Sequence, residues 1–216
     1  MNLEVIEQDA RLSGFTARLV DPECDVRLMR KAHELRFQVY CLEQGFLDAI
    51  DYPDGREADE HDASAIHFAS SDSDGEVAGY VRLVMAGPVR GFPFQVHGLT
   101  LHEGVCLPPS QRSAEISRLM VRGTYRRQPD RSPEILCGLF RQMYAHSERH
   151  GIRYWYAAME RSLVRVLQRM LNIELQQIGP VTDYYGPVAP YMIDLQDVAV
   201  RLRANKLHLM QGLQPV

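Results

Sequence analysis

The sequence lacks a long apolar segment, a cysteine motif and a strong excess of charge of one sign. No apolar run approaches the roughly 18–20 residues of a membrane-spanning helix. The opening residues, MNLEVIEQDARLSGF, have no basic start followed by an apolar block, so we predict no signal peptide. The four cysteines are widely spaced and form no CxxC pair, which favours reduced thiols in a cytoplasmic protein.

The charge balance argues against nucleic acid as a partner. Lysine and arginine together number 24 against 28 aspartates and glutamates, which gives a net charge of −4. Binding to nucleic acid usually needs a clustered basic surface. The 216 residues suit a single domain over 1–216, and a hydrophobic content of 45% suffices for a core. The sequence contains no internal repeat, and it does not indicate an oligomeric state.

The order of helical and strand patterns predicts an α/β fold. Apolar residues at steps of three and four predict a helix over 23–43. Its predicted buried stripe consists of Leu28, Ala32, Leu35, Val39 and Leu42. Strand patterns, with a hairpin signal at Asp74-Gly75, cover 14–20, 65–70, 76–85, 114–121 and 152–159. Helices and strands alternate to the end of the chain, which indicates a mixed sheet with helices packed on it.

Three arginines stand inside otherwise apolar elements, and an acidic run offers partners for them. The arginines are Arg36, Arg82 and Arg118. The acids are Glu57, Asp59 and Asp62, within the segment GREADEHD. A buried arginine needs a carboxylate partner because its desolvation is costly, so we predict one ion network. The alternative is that all six are separate surface charges.

A metal site is a weaker interpretation of the same acidic run. Asp59, His61 and Asp62 are close in sequence, but no second histidine or cysteine cluster has a zinc spacing. The pattern of an EF-hand loop is missing too. We therefore predict no metal. His67 alternates with apolar residues and is predicted to be a hydrogen-bonded strand residue.

Four short motifs, in order along the chain, resemble those of one enzyme group. They are Arg36 with Tyr40 in LRFQVY, the E-x-D-x-x-D run of Glu57, Asp59 and Asp62, Arg82 in GYVRLV, and the E-x-S-R strand of Glu115, Ser117 and Arg118. The pattern resembles acyl-homoserine-lactone (autoinducer) synthases and N-acyl amino acid synthases, which are branches of the GNAT N-acyltransferase fold. The segments VYCLEQGFLDAIDYPDGREADEHD and EISRLMVRGTYRR resemble the branch associated with PEP-CTERM/exosortase systems most.

The sequence departs from the autoinducer synthases at two aromatic positions. Those proteins usually carry a tryptophan between the first arginine and the acidic run, where this chain has Phe46; its one tryptophan is Trp155. The aromatic residue after Arg36 is Tyr40 instead of a phenylalanine. Both differences bear on the use of S-adenosylmethionine more than on acyl transfer.

The resemblance implies a GNAT fold: a central, twisted mixed sheet with splayed middle strands and flanking helices. Side chains alternate along a strand, so Glu115 and Arg118 would face opposite sides; the resemblance implies a β-bulge near Ser117 or Leu119 that brings them together. It also implies that Arg36, Tyr40, Glu57, Asp59, Asp62 and Arg82 bind the acceptor. Glu115 would act as base, and Ser117 and Arg118 would complete the catalytic group.

The basic loop after the central strand is the candidate binding site for the acyl donor. In GNAT proteins the loop after the central strand meets the phosphates of the cofactor, and here it reads RGTYRRQPDR, without a glycine-rich spacing. Arg122, Arg126 and Arg127 are predicted to bind phosphopantetheine or the acidic surface of an acyl carrier protein. The alternative is a solvated basic loop. The arginines at 161, 165 and 169 are predicted mainly to form a solvated helix face.

The implied tunnel for the acyl chain has eight apolar candidates, which are equally explained as core. They are Leu99, Leu101, Met120, Leu136, Leu139, Met143, Trp155 and Met159. Tyr184 and Tyr185 are expected near the acceptor.

The prediction is thus an enzyme that moves a fatty acyl group from an acyl carrier protein thioester, or from acyl-CoA, to the amine of an amino acid or similar small molecule. No permanently bound cofactor is predicted. Three alternatives remain: a lactone synthase using S-adenosylmethionine, a coenzyme A-dependent acetyltransferase, and a non-catalytic protein that binds carrier protein or lipid.

Overall fold

Eight strands form one mixed sheet in the computed structural model, which describes residues 14–86, 91–171 and 173–201. The strands are β1 Phe15–Val20, β2 Ala65–Asp72, β3 Val77–Met85, β4 Ser113–Val121, β5 Tyr154–Glu160, β6 Gln176–Gln177, β7 Thr182–Asp183 and β8 Pro187–Asp194. Their order in the sheet is β1-β2-β3-β4-β5-β8-β6, and β7 also pairs with β8. Only β4 and β5 pair in parallel within this part of the chain; the other pairs are antiparallel.

Helices cover both faces of the sheet. They are α1 Val26–Phe37, α2 Pro93–Val96, α3 Gly123–Arg126, α4 Arg131–Arg149 and α5 Arg161–Leu171, and a further helical segment covers 195–201. The inner side of α1 packs on Tyr80 and Met120 on one face. The long helix α4 places Ile135, Leu139 and Met143 in the larger core on the other face. This arrangement confirms the predicted α/β class.

The first helix changes its geometry before it ends. From Gln38 to Glu43 the chain continues α1 as a π-helix, a form that shifts the side-chain register by extending each hydrogen bond by one residue. Val39 and Cys41 are buried there, whereas Leu42 is 64% exposed. The prediction of Leu42 as part of the buried stripe is therefore wrong, because it assumed a regular helix.

The central strands separate partway along their length. The ladder of β4 and β5 pairs Ser113 with Tyr154, Ala114 with Trp155 and Glu115 with Tyr156, and it stops there. Beyond that point both strands continue and leave a gap between them. The predicted splayed middle strands are confirmed.

The predicted β-bulge is also confirmed. On β3, Tyr80 and Arg82 are two residues apart, but their partners on β4, Met120 and Ser117, are three apart. The extra residue lies at Arg118, whose φ of 56° is in the left-handed region that a residue with a side chain rarely adopts. The bulge turns the Arg118 side chain to the side that carries Ser117.

The single domain over 1–216 stays a prediction. The opening segment, for which no signal peptide was predicted, lies mostly outside the described residues, and so does the end of the chain, where the alternation of helices and strands was predicted to continue. Among the helices of the described part, none is both long and apolar enough to cross a membrane.

Candidate active site

Three arginines and three carboxylates form one connected ion network, as the sequence predicted. Arg36 donates from Nε to Glu57 at 2.6 Å and from Nη1 to Asp62 at 2.7 Å. Arg82 donates to both oxygens of Asp59, at 2.6 and 2.7 Å, and to Asp62 at 2.5 Å. Arg118 donates to Glu57 at 3.0 and 3.1 Å and to Asp59 at 2.9 Å. Each carboxylate therefore bridges two arginines.

Distant parts of the chain supply the two sides of this network. Helix α1, strand β3 and the bulge of β4 carry the arginines, and the loop before β2 carries the acids. The loop is attached to α1 by the Glu57 N–H, which donates to the His33 carbonyl at 3.1 Å. Asp62 opens a short 3₁₀ turn and accepts the Asp59 N–H at 2.8 Å. These backbone contacts hold the acids beneath the arginines.

The network is buried, and its charges are matched. Arg36 and Glu57 are fully buried, and Arg82 is 1% exposed. Burial alone would raise the pKa of Glu57, but the hydrogen bonds from Arg36 and Arg118 outweigh burial, so this pKa is lowered. The pKa of Asp59 and that of Asp62 are lowered in the same way, by their arginine partners against burial. All three carboxylates are ionised at neutral pH.

Tyr80 and His67 form a second buried layer behind Arg82. The Tyr80 hydroxyl lies 2.6 Å from His67 Nδ1, and the other ring nitrogen lies 3.1 Å from the Asp62 carbonyl. Burial raises the pKa of Tyr80 to about 12 and lowers the pKa of His67. A neutral imidazole that accepts from Tyr80 and donates to the carbonyl satisfies both contacts. The prediction of His67 as a hydrogen-bonded strand residue is confirmed.

A cavity of about 700 Å³ occupies the gap between β4 and β5. Its apolar lining includes Leu136, Met159, Leu163 and Val166. Its polar lining includes Tyr40, Arg82, Glu115, Ser117 and Arg118, all of which were predicted site residues. The structure thus places the E-x-S-R strand along the cavity wall. Arg36, Glu57, Asp59 and Asp62 lie behind that wall and hold it in place.

Arg118 joins the network to the cavity. Its guanidinium pairs with Glu57 and Asp59, its side chain is 17% exposed, and it lines the cavity. The carbon at its centre lies 4.7 Å from the middle of the Tyr40 ring, which is a cation–π contact. Ser117 Oγ accepts from Arg82 at 3.3 Å. A positive charge is therefore fixed at the cavity wall beside the predicted catalytic strand.

Glu115 has a different environment, although it is in the same strand. It is 4% exposed, and its Oε2 accepts the Phe94 N–H at 2.9 Å. Burial raises the pKa of Glu115 to about 8, against smaller opposing effects of that hydrogen bond and of Arg82 and Arg118. At pH 7 this carboxyl is mostly protonated.

Aromatic rings line the cavity wall next to Arg118. The ring centres of Tyr40 and Phe46 are 5.6 Å apart, those of Phe46 and Tyr185 5.9 Å, and those of Tyr185 and Tyr184 4.7 Å. Tyr184 stacks on His97 at 4.8 Å, and His97 meets His61 at 6.1 Å. We call this row of six residues the aromatic collar; all six line the cavity.

The two histidines of the collar are cavity residues that sequence reasoning missed. His97 follows α2 in an irregular segment without periodicity, and His61 was considered only as a metal ligand. No group of three or more possible metal ligands occurs among the residues that the structure describes.

Comparison with known proteins agrees with this architecture. The family model described as "Acetyltransferase (GNAT) domain" matches residues 35–133, which include the network and β4. Among solved structures, the coenzyme A-dependent acyl-homoserine lactone synthase BjaI, with SAM and isopentyl-CoA, superposes with a TM-score of 0.69 at 17% identity, over 87% of each chain. The chain has the GNAT fold.

Two further solved structures match over similar lengths. The AHL synthase LasI has a TM-score of 0.64 at 22% identity and covers 85% of this chain and 91% of its own. FeeM, an N-acyl amino acid synthase from uncultured soil microbes, has a TM-score of 0.52 at 16% identity and covers 85% and 93%. No curated protein sequence matches the chain. Together, the family match and these neighbours support an acyltransferase.

The three arginines of the basic loop have different surroundings in the folded chain. Arg122 donates from Nε to the Val77 carbonyl at 2.8 Å, and Arg127 is exposed. Arg126 pairs with Glu43 at 2.5 Å and, alone among these three described residues, lines the cavity. Their predicted contact with the donor stays a prediction.

Of the eight apolar tunnel candidates, the structure places three on the cavity. They are Met120, Leu136 and Met159. Leu139, Met143 and Trp155 lie in the larger core, and Leu99 and Leu101 pack in a separate cluster around Phe94.

Proposed function

We propose that the chain is an N-acyltransferase that moves a fatty acyl group from a phosphopantetheine thioester to the amine of an amino acid or similar small molecule. The observation that carries the proposal is the cavity between β4 and β5. It joins an apolar wall at Leu136 and Met159 to a charged wall at Arg118 within one space of about 700 Å³. A reaction between an acyl chain and a polar amine needs both walls at once.

The open edge of β4 suits the donor. Beyond Glu115 the strand has no ladder partner on β5 in the described residues, so its backbone groups face the cavity. An extended pantetheine arm can lie along such an edge as an added strand does. A backbone N–H there can also donate to the thioester oxygen as it becomes anionic, with Ser117 as a further donor.

The network and the collar suit the acceptor. Arg118 offers a fixed positive charge at the cavity wall, and Tyr40, Phe46 and Tyr185 offer flat apolar surfaces next to it. An amino acid carries a carboxylate for the arginine and an amine for the reaction. Arg36, Arg82, Glu57, Asp59 and Asp62 act in this proposal by holding Arg118 in place.

The donor in this proposal is acyl carrier protein, and its acidic surface would meet Arg122, Arg126 and Arg127. Acyl-CoA is the second possible source of the same thioester. The proposal also includes a cytoplasmic location and an association with exosortase systems, as the sequence resemblance implies.

Mass spectrometry of organic extracts tests the function. Cells expressing the wild-type protein should contain a new N-acyl amino acid, and cells expressing Arg118→Ala should not. Arg149→Ala serves as the matched control, because Arg149 is exposed at the end of α4 and does not line the cavity. Soluble, folded protein must be confirmed for each variant by its thermal unfolding.

The assay also distinguishes the alternatives. An acyl lactone that requires S-adenosylmethionine would establish a lactone synthase, the activity named for BjaI and LasI. Product from acetyl-CoA but not from long acyl thioesters would establish an acetyltransferase. Folded wild-type protein that yields no acylated amine with any donor would contradict the proposal.

A further inference from the structure

We infer that His97, and not Glu115, takes the proton from the acceptor's ammonium group, an inference that rests on the proposed function. Both residues line the cavity. His97 is exposed to solvent at the cavity, whereas Glu115 is 4% exposed. A base that must pass its proton to water in every turnover is better placed at an open wall than at a closed one.

A rigid turn holds His97 in position. It directly follows α2, and its N–H donates to the Pro93 carbonyl at 2.9 Å. The same turn is attached to the central strand by the Phe94 N–H, which donates to Glu115. The Phe94 side chain is 1% exposed and packs on Tyr156. Glu115 is thereby a positioning residue for the turn that carries the histidine.

Two neighbouring rings set the orientation of the His97 imidazole. Tyr184 stacks on it with ring centres 4.8 Å apart and planes 26° apart. His61 meets it edge-on, with ring centres 6.1 Å apart and planes 75° apart. The ring edge that these contacts leave uncovered can meet a substrate in the cavity. Orientation of this kind keeps a proton-accepting nitrogen in one place.

The charges around His97 favour its neutral form. The charged and titratable groups that act on it are His61, Arg118, Asp59, Glu60 and, by stacking, Tyr184. Partial burial of the ring lowers the pKa of His97, and the neighbouring His61 and Arg118 lower it further against the two acids. An imidazole with a pKa below its ordinary 6.5 is unprotonated at pH 7 and can accept a proton. Glu115, with a pKa of about 8, already carries one.

The proton steps balance in this arrangement. The imidazole removes one proton from the ammonium group, and the free amine attacks the thioester carbonyl. The new C–N bond forms, the C–S bond breaks, and the leaving thiolate takes the second proton from the nitrogen as the amide forms. The imidazolium returns its proton to solvent at the cavity mouth. No oxidant, metal or further reactant is needed.

A purified assay with defined probes tests the inference. The donors, in parallel reactions, are decanoyl-acyl carrier protein and decanoyl-CoA, the acceptor is an equimolar mixture of the twenty standard amino acids, and acylated products are measured by mass spectrometry. We expect His97→Asn to lower the rate about 100-fold at pH 7, the lower end of the usual contribution of a general base. His102→Asn is the matched control, because His102 is an exposed histidine of the same segment and does not line the cavity.

Two further readouts separate a base from a merely structural residue. Added imidazole should restore activity to His97→Ala, in proportion to the concentration of its free base. The ratio of wild-type to His97→Asn rates should also shrink as pH rises past the pKa of the amine, because the substrate then arrives unprotonated. A structural role would leave that ratio constant and would not respond to imidazole.

The outcomes separate this inference from the proposed function. A wild-type protein that acylates none of these amines with either donor would overturn both. An active wild type with an equally active His97→Asn variant would overturn only the role of His97. Loss of activity in Glu115→Gln with retention in His97→Asn would return the proton transfer to Glu115.

Discussion

Glu57 and Glu115 are both acids of this site and both shielded from water, but they differ in charge. Glu57 is fully buried and accepts from two arginine side chains, so its pKa is lowered. Glu115 is 4% exposed and accepts from one backbone N–H, so its pKa rises to about 8. The two side chains are nearly equally buried, so the hydrogen-bond partner decides whether the carboxyl is ionised.

The comparison separates two uses of a buried acid. In the network, six matched charges make a rigid wall that fixes Arg118 beside the cavity. At Glu115, a neutral acid holds the turn before His97 without placing a negative charge at the cavity wall. The experiments below test this contrast.

Removal of Arg36 should cause the largest loss of stability. Arg36→Met leaves Glu57 and Asp62 buried with fewer cations, and the loss of one partner of a buried pair costs about 3–5 kcal/mol of the free energy of unfolding. Urea denaturation measures the difference. Arg30→Met on the same helix is the control, since the Arg30–Glu34 pair is exposed and should contribute at most about 0.5 kcal/mol. Equal losses in the two variants would refute the importance of burial.

Glu115→Gln should stabilise the protein, in contrast to Arg36→Met. The folded-state pKa of about 8 lies above the ordinary value near 4.3, so the acid's contribution to stability is present below pH 4 and lost as pH rises through 8. Glutamine does not ionise, so the variant does not lose this stability as pH rises. Its side-chain oxygen can still accept the Phe94 N–H. We expect the variant to be several kcal/mol more stable than wild type at pH 8.5 and nearly equal to it at pH 4. A difference that does not change with pH would mean that Glu115 is ionised when folded.

The network acids should make the protein sensitive to acid. Their pKa values are lowered in the folded state, so the stability they contribute is present above about pH 4.5 and lost as pH falls through the folded values. Each unit of lowering contributes about 1.4 kcal/mol. Unfolding of wild type and Asp62→Asn should be compared between pH 3 and 7. The variant is expected to be less stable at pH 7 and to depend less on pH.

The exposed pair of Arg126 and Glu43 should contribute least to stability. Both side chains retain contact with solvent, at 40% and 24%, and such pairs usually contribute less than about 1 kcal/mol. Arg126→Gln should therefore leave the unfolding midpoint nearly unchanged, with an effect that 1 M salt removes. A loss as large as that of Arg36→Met would show that the basic loop is also part of the folded core.

Much of the site could be predicted because each charge in an apolar element needs a partner of opposite charge. Arg36, Arg82 and Arg118 in apolar elements required carboxylates, and one loop carried three of them. The bulge near Ser117 or Leu119 was predicted from the family resemblance, because it would bring Arg118 to the side of Glu115. Leu42 was misassigned because a π-helix has no signal in apolar spacing. His97 was missed because its segment has no periodicity and no partner in sequence.

The sequence by itself determined the alternation of helices and strands, the pairing of acids with arginines, and the strand that carries Glu115, Ser117 and Arg118. These follow from local periodicity and from the cost of an unpaired buried charge. Only the tertiary structure decided the charge state of Glu115, the position of His97 against Tyr184, and the separation of Arg122, Arg126 and Arg127. Each of these depends on which distant groups surround a side chain, and a linear sequence does not contain those distances.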